Sequence, residues 1–131
     1  MVRLHSFHDD HRGFTLIELL VVLAIISLLL TLSLPRYFHS IDHAKEVALA
    51  ENLRVTRDAL DKFYSDLGKY PDGLQQLVEK RYLRALPVDP VTGSTSTWII
   101  VSPDDASKGG VANLHSGAPG SSSDGKPFFE F

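Results

Sequence analysis

Residues 12–21 read RGFTLIELLV, and they open an almost entirely apolar run that extends from residue 14 to residue 34. At 1.5 Å per residue, a helix of this length spans roughly 32 Å, about the hydrocarbon thickness of a membrane. Glu18 is the only ionisable side chain inside the run. The sequence therefore predicts a membrane-spanning helix with one unexplained carboxylate near its start.

A cleavable secretory signal is the main alternative for such a run. Its apolar region is typically about 7 to 15 residues long, and a small-x-small cleavage site follows it. Here the run is longer, and the residues that follow it, SLPRYF at 33–38, offer no such site. The apolar run is therefore expected to remain in the protein as a membrane anchor rather than to be cleaved off as a signal peptide.

The helical pattern continues beyond Pro35, although proline disturbs a helix interior. Apolar or neutral residues recur with the spacing of one helix face: Leu49, Leu53, Thr56, Leu60, Phe63 and Leu67. Arg57 and Asp61 are spaced for an ion pair on another face. Gly68 and Pro71 end the pattern. We predict one helix of about 50 residues, kinked near Pro35 and amphipathic in its second half.

The remaining residues predict a small globular part. Asp72 and Gln75 are expected to cap a short helix that ends near Lys80. The segment 86–93 is a turn-rich connector, 97–101 is a strand, 111–115 is a weaker strand, and 117–125 is a Gly/Ser/Pro loop. The predicted fold class is α+β, with the long helix packed on the short helix and on a small antiparallel sheet. Four aromatic residues are assigned to the core of this part, with contacts between subunits as the alternative role: Trp98, Phe128, Phe129 and Phe131.

Bulk composition limits the function classes. A chain of 131 residues suits one domain. The net charge of −3 gives no reason to expect nucleic acid as a partner. The chain has no cysteine, so disulfides and thiolate metal sites are excluded. No Ser/His/Asp set, phosphate loop or carboxylate pair is found in a recognisable context, so an enzyme is not expected.

The stretch RGFTLIELL at 12–20 resembles the signal of the type IV pilin-like prepilin superfamily. That signal has a short polar leader ending in Gly, then Phe, then Glu at the fifth mature position, and a proline at the far end of the apolar run, where Pro35 lies. Tyr70-Pro71, LPVDP at 86–90 and the Trp98 strand follow in the order seen in the major pseudopilin of the type II secretion system. The resemblance covers nearly the whole chain.

The resemblance implies three parts. Residues 1–13 would be a prepilin leader, 14–35 the transmembrane and filament-core helix, and 36–131 a periplasmic domain. A membrane peptidase would cut between Gly13 and Phe14, and the new amine of Phe14 would be methylated. Glu18 and Pro35 would then serve assembly.

The resemblance also implies partners and a location. Copies of the chain would leave the lipid bilayer of the bacterial inner membrane and build a periplasmic filament. That filament would help to drive folded proteins through an outer-membrane secretin. The expected partners are other copies of the chain, the prepilin peptidase, minor pseudopilins and the inner-membrane assembly platform.

Cleavage at this junction gives Glu18 a physical purpose. A charged side chain at the centre of a membrane helix costs about 2.5 to 3.5 kcal/mol, and less near an interface. Cleavage creates a free amine one helical turn before Glu18. Two unit charges 4 Å apart attract by about 4 kcal/mol at an effective dielectric constant of 20. A pair formed between neighbouring copies would therefore offset the cost and set their register.

Calcium is a further candidate ligand. The resembled major pseudopilins often hold it in the C-terminal loop through two aspartates, whereas Asp124 is the only aspartate here after Leu114. The candidate ligands in this chain are Leu114, Ser116 and Asp124. No other cofactor is expected.

Two alternative functions stay open at this point. A type IV or competence pilin would share the N-terminal motif, although adhesive pilins usually have larger C-terminal domains, often with a disulfide. A monomeric, membrane-anchored periplasmic binding module would need neither the Gly13–Phe14 junction nor Glu18.

Overall fold

The structure is a computed structural model that describes residues 13–131. Most of the leader, residues 1–12, therefore lies outside the described part. The described elements are α1 (Leu16–Leu67), α2 (Leu74–Glu79), β1 (Trp98–Val101) and β2 (Asn113–Ser116), with single 3₁₀ turns at Ala106–Lys108 and Phe128–Glu130. The chain divides into two compact units, one that ends at Tyr37 and one that spans Phe38–Phe131.

Helix α1 confirms the prediction of one long helix. It has 52 residues, and Pro35 lies inside it. Thr31 and Ser33 donate their hydroxyls to the carbonyls of Ser27 and Leu29, four residues back, at 2.7 and 2.8 Å. These hydroxyls are thereby satisfied inside an apolar helix. The kink near Pro35 stays a prediction.

The predicted stripe on the second half of α1 forms the core of the second unit. Leu49, Leu53, Thr56, Leu60 and Phe63 are buried. They pack with apolar side chains from α2, from both strands and from the segments beside β2: Leu77, Trp98, Val111, Leu114, Ala118 and Phe128. Burial of these side chains supplies the main favourable free energy for holding the strands and loops on the helix.

One residue of the predicted stripe and one aromatic residue assigned to the core are exposed. Leu67 is 49% exposed because it is the last residue of α1, where the packed face ends. Phe129 is 56% exposed, since the 3₁₀ turn directs Phe128 rather than its neighbour into the core. The predictions for Trp98 and Phe128 are confirmed, and Phe131 is partly buried against the core.

The end of α1 follows its sequence signal. Gly68 has a φ of +71°, which residues with a Cβ adopt rarely. Its N–H donates to the carbonyl of Tyr64 at 2.8 Å.

The predicted cap of α2 is wrong, because Gly73 occupies the N-cap position without a side-chain bond. The N–H of Asp72 instead donates to Oε1 of Gln76 at 2.8 Å.

The two predicted strands pair in an antiparallel sheet. The register places Trp98 opposite Ser116 and Val101 opposite Asn113. Trp98 is the buried residue of β1, and its indole N–H donates to the carbonyl of Pro87 at 2.9 Å. Leu114 and Ser116 are the buried residues of β2. The α+β prediction, with the sheet packed on the long helix, is confirmed.

Candidate processing and assembly site

The predicted cleavage junction lies just before the first helical residue. Gly13, Phe14 and Thr15 have no regular secondary structure, and α1 begins at Leu16. The side chain of Phe14 is 92% exposed, and no heavy atom lies within 4 Å of the position that a Cβ on Gly13 would occupy. A peptidase that must grip extended backbone would find this junction accessible and outside the helix.

Thr15 caps the start of α1, a role that the sequence analysis missed. The N–H of Glu18 donates to Oγ1 of Thr15 at 3.2 Å, and the N–H of Leu19 donates to the carbonyl of Thr15 at 3.1 Å. Thr-x-x-Glu is the sequence signature of a capping box, so the signal was present. The cap fixes where the helix begins, two residues after the predicted scissile bond.

Glu18 lies in the first turn of α1. A carboxylate is favoured there, because the unpaired N–H groups give the start of a helix a partial positive charge. A cleaved chain would add the amine of Phe14 at the same helix end. The first turn is therefore the place in this helix where a negative charge in an apolar setting costs least.

The helix around Glu18 is apolar and uncovered. Leu16 is 81% exposed, and the apolar side chains from Ile17 to Leu34 are also exposed. The most apolar stretch has a mean hydropathy of 2.7, and the helix is long and apolar enough to cross a membrane. Such a surface is stable in water only when lipid or another apolar surface covers it.

The three candidate calcium ligands differ in burial, and two of them already have partners in the chain. Leu114 and Ser116 are fully buried, whereas Asp124 is exposed. The carbonyl of Leu114 accepts a hydrogen bond from the guanidinium of Arg57 at 2.9 Å. The hydroxyl of Ser116 donates to Oδ2 of Asp89 at 2.5 Å. A calcium ion would have to displace the guanidinium of Arg57 from the carbonyl of Leu114, and it would have to enter the core to reach Ser116.

The side chains that organise this region were not singled out from the sequence. Asp89 is fully buried and also accepts from the N–H of Val91 at 2.9 Å, so it joins a turn of the connector to Ser116 of β2. Arg57 was predicted to pair with Asp61 but reaches across to β2 instead. For Asp89, a turn-forming Asp-Pro before a Gly was the available signal.

Glu46 is the third polar residue that organises this region, after Asp89 and Arg57, and its exposed fraction is 8%. Its Oε1 accepts from the N–H of Ser123 at 2.6 Å, and its Oε2 accepts from the hydroxyl of Ser123 at 2.9 Å. The hydrogen bond from the Ser123 N–H is the main cause that holds the pKa of Glu46 below its ordinary value of 4.5, with smaller contributions from the Ser123 hydroxyl, His43 and His39. Burial raises the pKa and opposes them.

The chain is similar to known proteins both in its N-terminal motif and beyond it. Residues 9–34 match the family model described as the prokaryotic N-terminal methylation motif. The chain is 32% identical over 111 residues to the type II secretion system core protein G of Klebsiella michiganensis, an alignment that covers 72% of this chain and 76% of that protein. It is 35% identical over 97 residues to the core protein G of Pseudomonas aeruginosa, with coverage of 62% and 68%.

A pilin is also similar. The type IV major pilin protein PilA of Myxococcus xanthus is 34% identical over 71 residues, which covers 54% of this chain but 32% of that protein. No solved structure matches the chain. The methylation motif, the long apolar helix and the extent of the match to core protein G agree with one another. The chain therefore belongs to the pilin-like family that includes type II secretion system core protein G.

Proposed function

We propose that the chain is a structural subunit of the pseudopilus of a type II secretion system. Members of the pilin family are structural proteins, not enzymes, and the finer assignment rests on one observation. The similarity to core protein G covers 76% of the Klebsiella protein, whereas the similarity to the Myxococcus pilin covers 32% of that protein. A match that extends so far along a relative includes more than the shared N-terminal motif.

The proposed function begins with processing. Prepilin peptidase cuts between Gly13 and Phe14, which lie outside α1, and the new amine of Phe14 is methylated. Thr15 keeps the helix from extending into the junction, because it caps the first turn. The mature chain then consists of a membrane-embedded helix to about Pro35 and a periplasmic domain from residue 36 to residue 131.

Assembly follows from the uncovered apolar helix. Before assembly, lipid of the inner membrane covers the side chains between Leu16 and Leu34. In a filament, the same side chains of neighbouring copies cover one another. Glu18 of one copy pairs with the Phe14 amine of the next, which fixes axial register, and Pro35 softens the helix where it leaves the membrane core. The assembly platform and minor pseudopilins are the remaining partners.

A type IV pilus is the second candidate function, because the chain is 34% identical to the Myxococcus pilin over 71 residues. The two functions differ in what the filament does. A pseudopilus acts in the periplasm to move folded proteins through a secretin, whereas a type IV pilus extends from the cell surface. A monomeric binding module is less well supported, since nothing in such a role needs the carboxylate of Glu18 within an exposed apolar helix.

Deletion of the gene distinguishes these functions. In the bacterium that encodes the chain, deletion is expected to abolish release of secreted enzymes, which should accumulate folded in the periplasm. Surface pili and pilus-dependent motility should be unchanged. Enzyme activity in culture supernatant and periplasm, together with electron microscopy of surface pili, provides the measurement, and a plasmid copy of the chain is the control. Normal secretion with loss of surface pili would assign the chain to a type IV pilus.

A further inference from the structure

The C-terminal segment, residues 113–131, is attached to α1 at two charged side chains. At one point, Glu46 accepts two hydrogen bonds from Ser123. At the other, Arg57 donates from Nε to Oδ1 of Asn113 at 2.9 Å and from Nη2 to the carbonyls of Leu114 and Phe131 at 2.9 and 2.7 Å. One side chain therefore binds the loop of the segment, and the other binds its two ends.

The spacing of the two side chains suits this role. Glu46 and Arg57 are eleven residues apart in α1. Eleven residues make about three helical turns, so the two side chains lie within roughly 20° of one another around the helix and about 16 Å apart along it. A single face of the helix thus presents an anion and a cation to the same segment.

The guanidinium of Arg57 is surrounded by oxygen atoms, as a bound cation would be. Three oxygens converge on its guanidinium: Oδ1 of Asn113 and the carbonyls of Leu114 and Phe131. The carbonyl of Phe131 also lies 3.0 Å from Nδ1 of His115. Charge-assisted bonds of this kind are stronger than neutral ones and, unlike a bound ion, do not depend on supply from solution. Leu114, one of the candidate calcium ligands, is therefore already bound to a positive charge.

The loop held by Glu46 is itself ordered by its own backbone. The N–H of Ser122 donates to the carbonyl of Lys126 at 2.8 Å, and the N–H of Gly125 donates to the carbonyl of Ser122 at 2.9 Å. Ser121 forms an isolated antiparallel bridge with Pro127. The N–H of Ser123 points out of this turn, and Glu46 satisfies it. Turn and carboxylate together hold the loop without Asp124, which stays exposed.

We propose that Glu46 and Arg57 form a two-point clamp that holds the C-terminal segment in place of a bound calcium ion. The segment supplies Leu114, Ala118 and Phe128 to the core, so the clamp stabilises the whole second unit. Folding of this subunit is then independent of calcium. This inference concerns the fold of the chain and holds for either proposed filament.

The first test uses the full-length protein in detergent micelles. The chain has one tryptophan, Trp98, which is buried in the second unit, so its fluorescence reports the unfolding of that unit. The melting temperature should be the same with millimolar calcium and with a chelator. A rise of several degrees with calcium would overturn the proposal, because an ion would then stabilise the segment.

The second test compares clamp variants with matched controls in hydrogen–deuterium exchange. Glu46→Gln and Arg57→Met should each speed exchange of amides in residues 113–131 by about tenfold or more, since each leaves charged-group hydrogen bonds unmade. Glu51→Gln and Arg54→Met are the controls, because these two residues form an exposed ion pair at 2.6 Å on the same helix. The controls should leave that exchange unchanged.

Two outcomes of the exchange experiment would contradict the clamp. One is that the clamp variants exchange no faster than the controls. The other is that Arg57→Met alone exchanges no faster than its control, because methionine keeps an apolar stem of similar length and this result would indicate that Arg57 acts by packing rather than through its three hydrogen bonds. Should Arg57→Met fail to fold, the calcium titration of the unmodified protein still decides the proposal.

Discussion

Replacement of Glu18 by leucine should abolish filament assembly while the protein is still inserted and processed. Leucine removes the only ionisable group from the apolar run, so membrane insertion should be at least as favourable. The proposed scissile bond, between Gly13 and Phe14, lies before the helix, and the cap at Thr15 uses the backbone N–H of residue 18, which leucine retains. What the variant loses is the charge that we propose to pair with the amine of Phe14 on a neighbouring copy.

The size of the effect follows from electrostatics. A pair of unit charges at 4 Å contributes about 4 kcal/mol at an effective dielectric constant of 20. Because part of this attraction offsets the cost of keeping the charge in an apolar setting, its loss at each subunit contact should lower the association constant by at most about three powers of ten. The measurement is a count of filaments by electron microscopy under overexpression, with processing confirmed by intact mass. Glu18→Asp should be intermediate, because it keeps the charge on a shorter arm.

Glu51→Leu is a matched control for this experiment. It removes a carboxylate from the same helix, at an exposed position in the second unit. It should be processed and should assemble, since Glu51 contacts Arg54 of its own chain. A Glu18→Leu variant that builds filaments of normal length and number would show that Glu18 is a tolerated carboxylate without a role in assembly.

Replacement of Phe63 by alanine should be the most damaging single truncation in the core of the second unit. The ring is fully buried and packs edge-on against Tyr82 with centroids 5.2 Å apart. Removal of a buried phenylalanine side chain typically costs about 3 to 5 kcal/mol, because lost transfer free energy and an unfilled cavity add together. Denaturant unfolding of the full-length protein in micelles, followed by Trp98 fluorescence, measures the change.

Leu67→Ala is the control for the core prediction, because Leu67 ends the same stripe but is half exposed. It should change the free energy of unfolding by less than about 0.5 kcal/mol. Equal effects of the two substitutions would mean that the stripe is not the core of this unit. A small effect of Phe63→Ala alone would mean that its surroundings collapse into the space it leaves.

Most of the fold could be predicted because it depends on local patterns. The period of the stripe from Leu49 to Phe63 predicted which side of α1 is buried. Gly68 and Pro71 predicted its end, and the two short runs around Trp98 and Leu114 predicted the strands. Each of these signals lies within about one or two turns of the residue concerned, so no tertiary information was needed.

The polar contacts of the second unit could not be predicted, because they join residues far apart in the chain. Glu46 and Ser123 are separated by 77 positions, and Arg57 and Phe131 by 74. On a helix, Arg57 looks like an ordinary partner for Asp61. Only the position of β2 shows that the guanidinium donates to oxygens of Asn113 and Leu114, each at 2.9 Å. Thr15 differs, since its Thr-x-x-Glu signal is local and was overlooked within an apolar run.

The central claim is that the chain is a cleaved, assembled filament subunit whose new N-terminus lies beside Glu18. The most direct measurement is mass spectrometry of the N-terminal peptide from filaments sheared from cells that overexpress the protein. The account predicts a peptide that begins at Phe14 and carries one methyl group on its amine. Filaments made of chains that begin at Met1, or of chains that begin beyond Pro35, would contradict it.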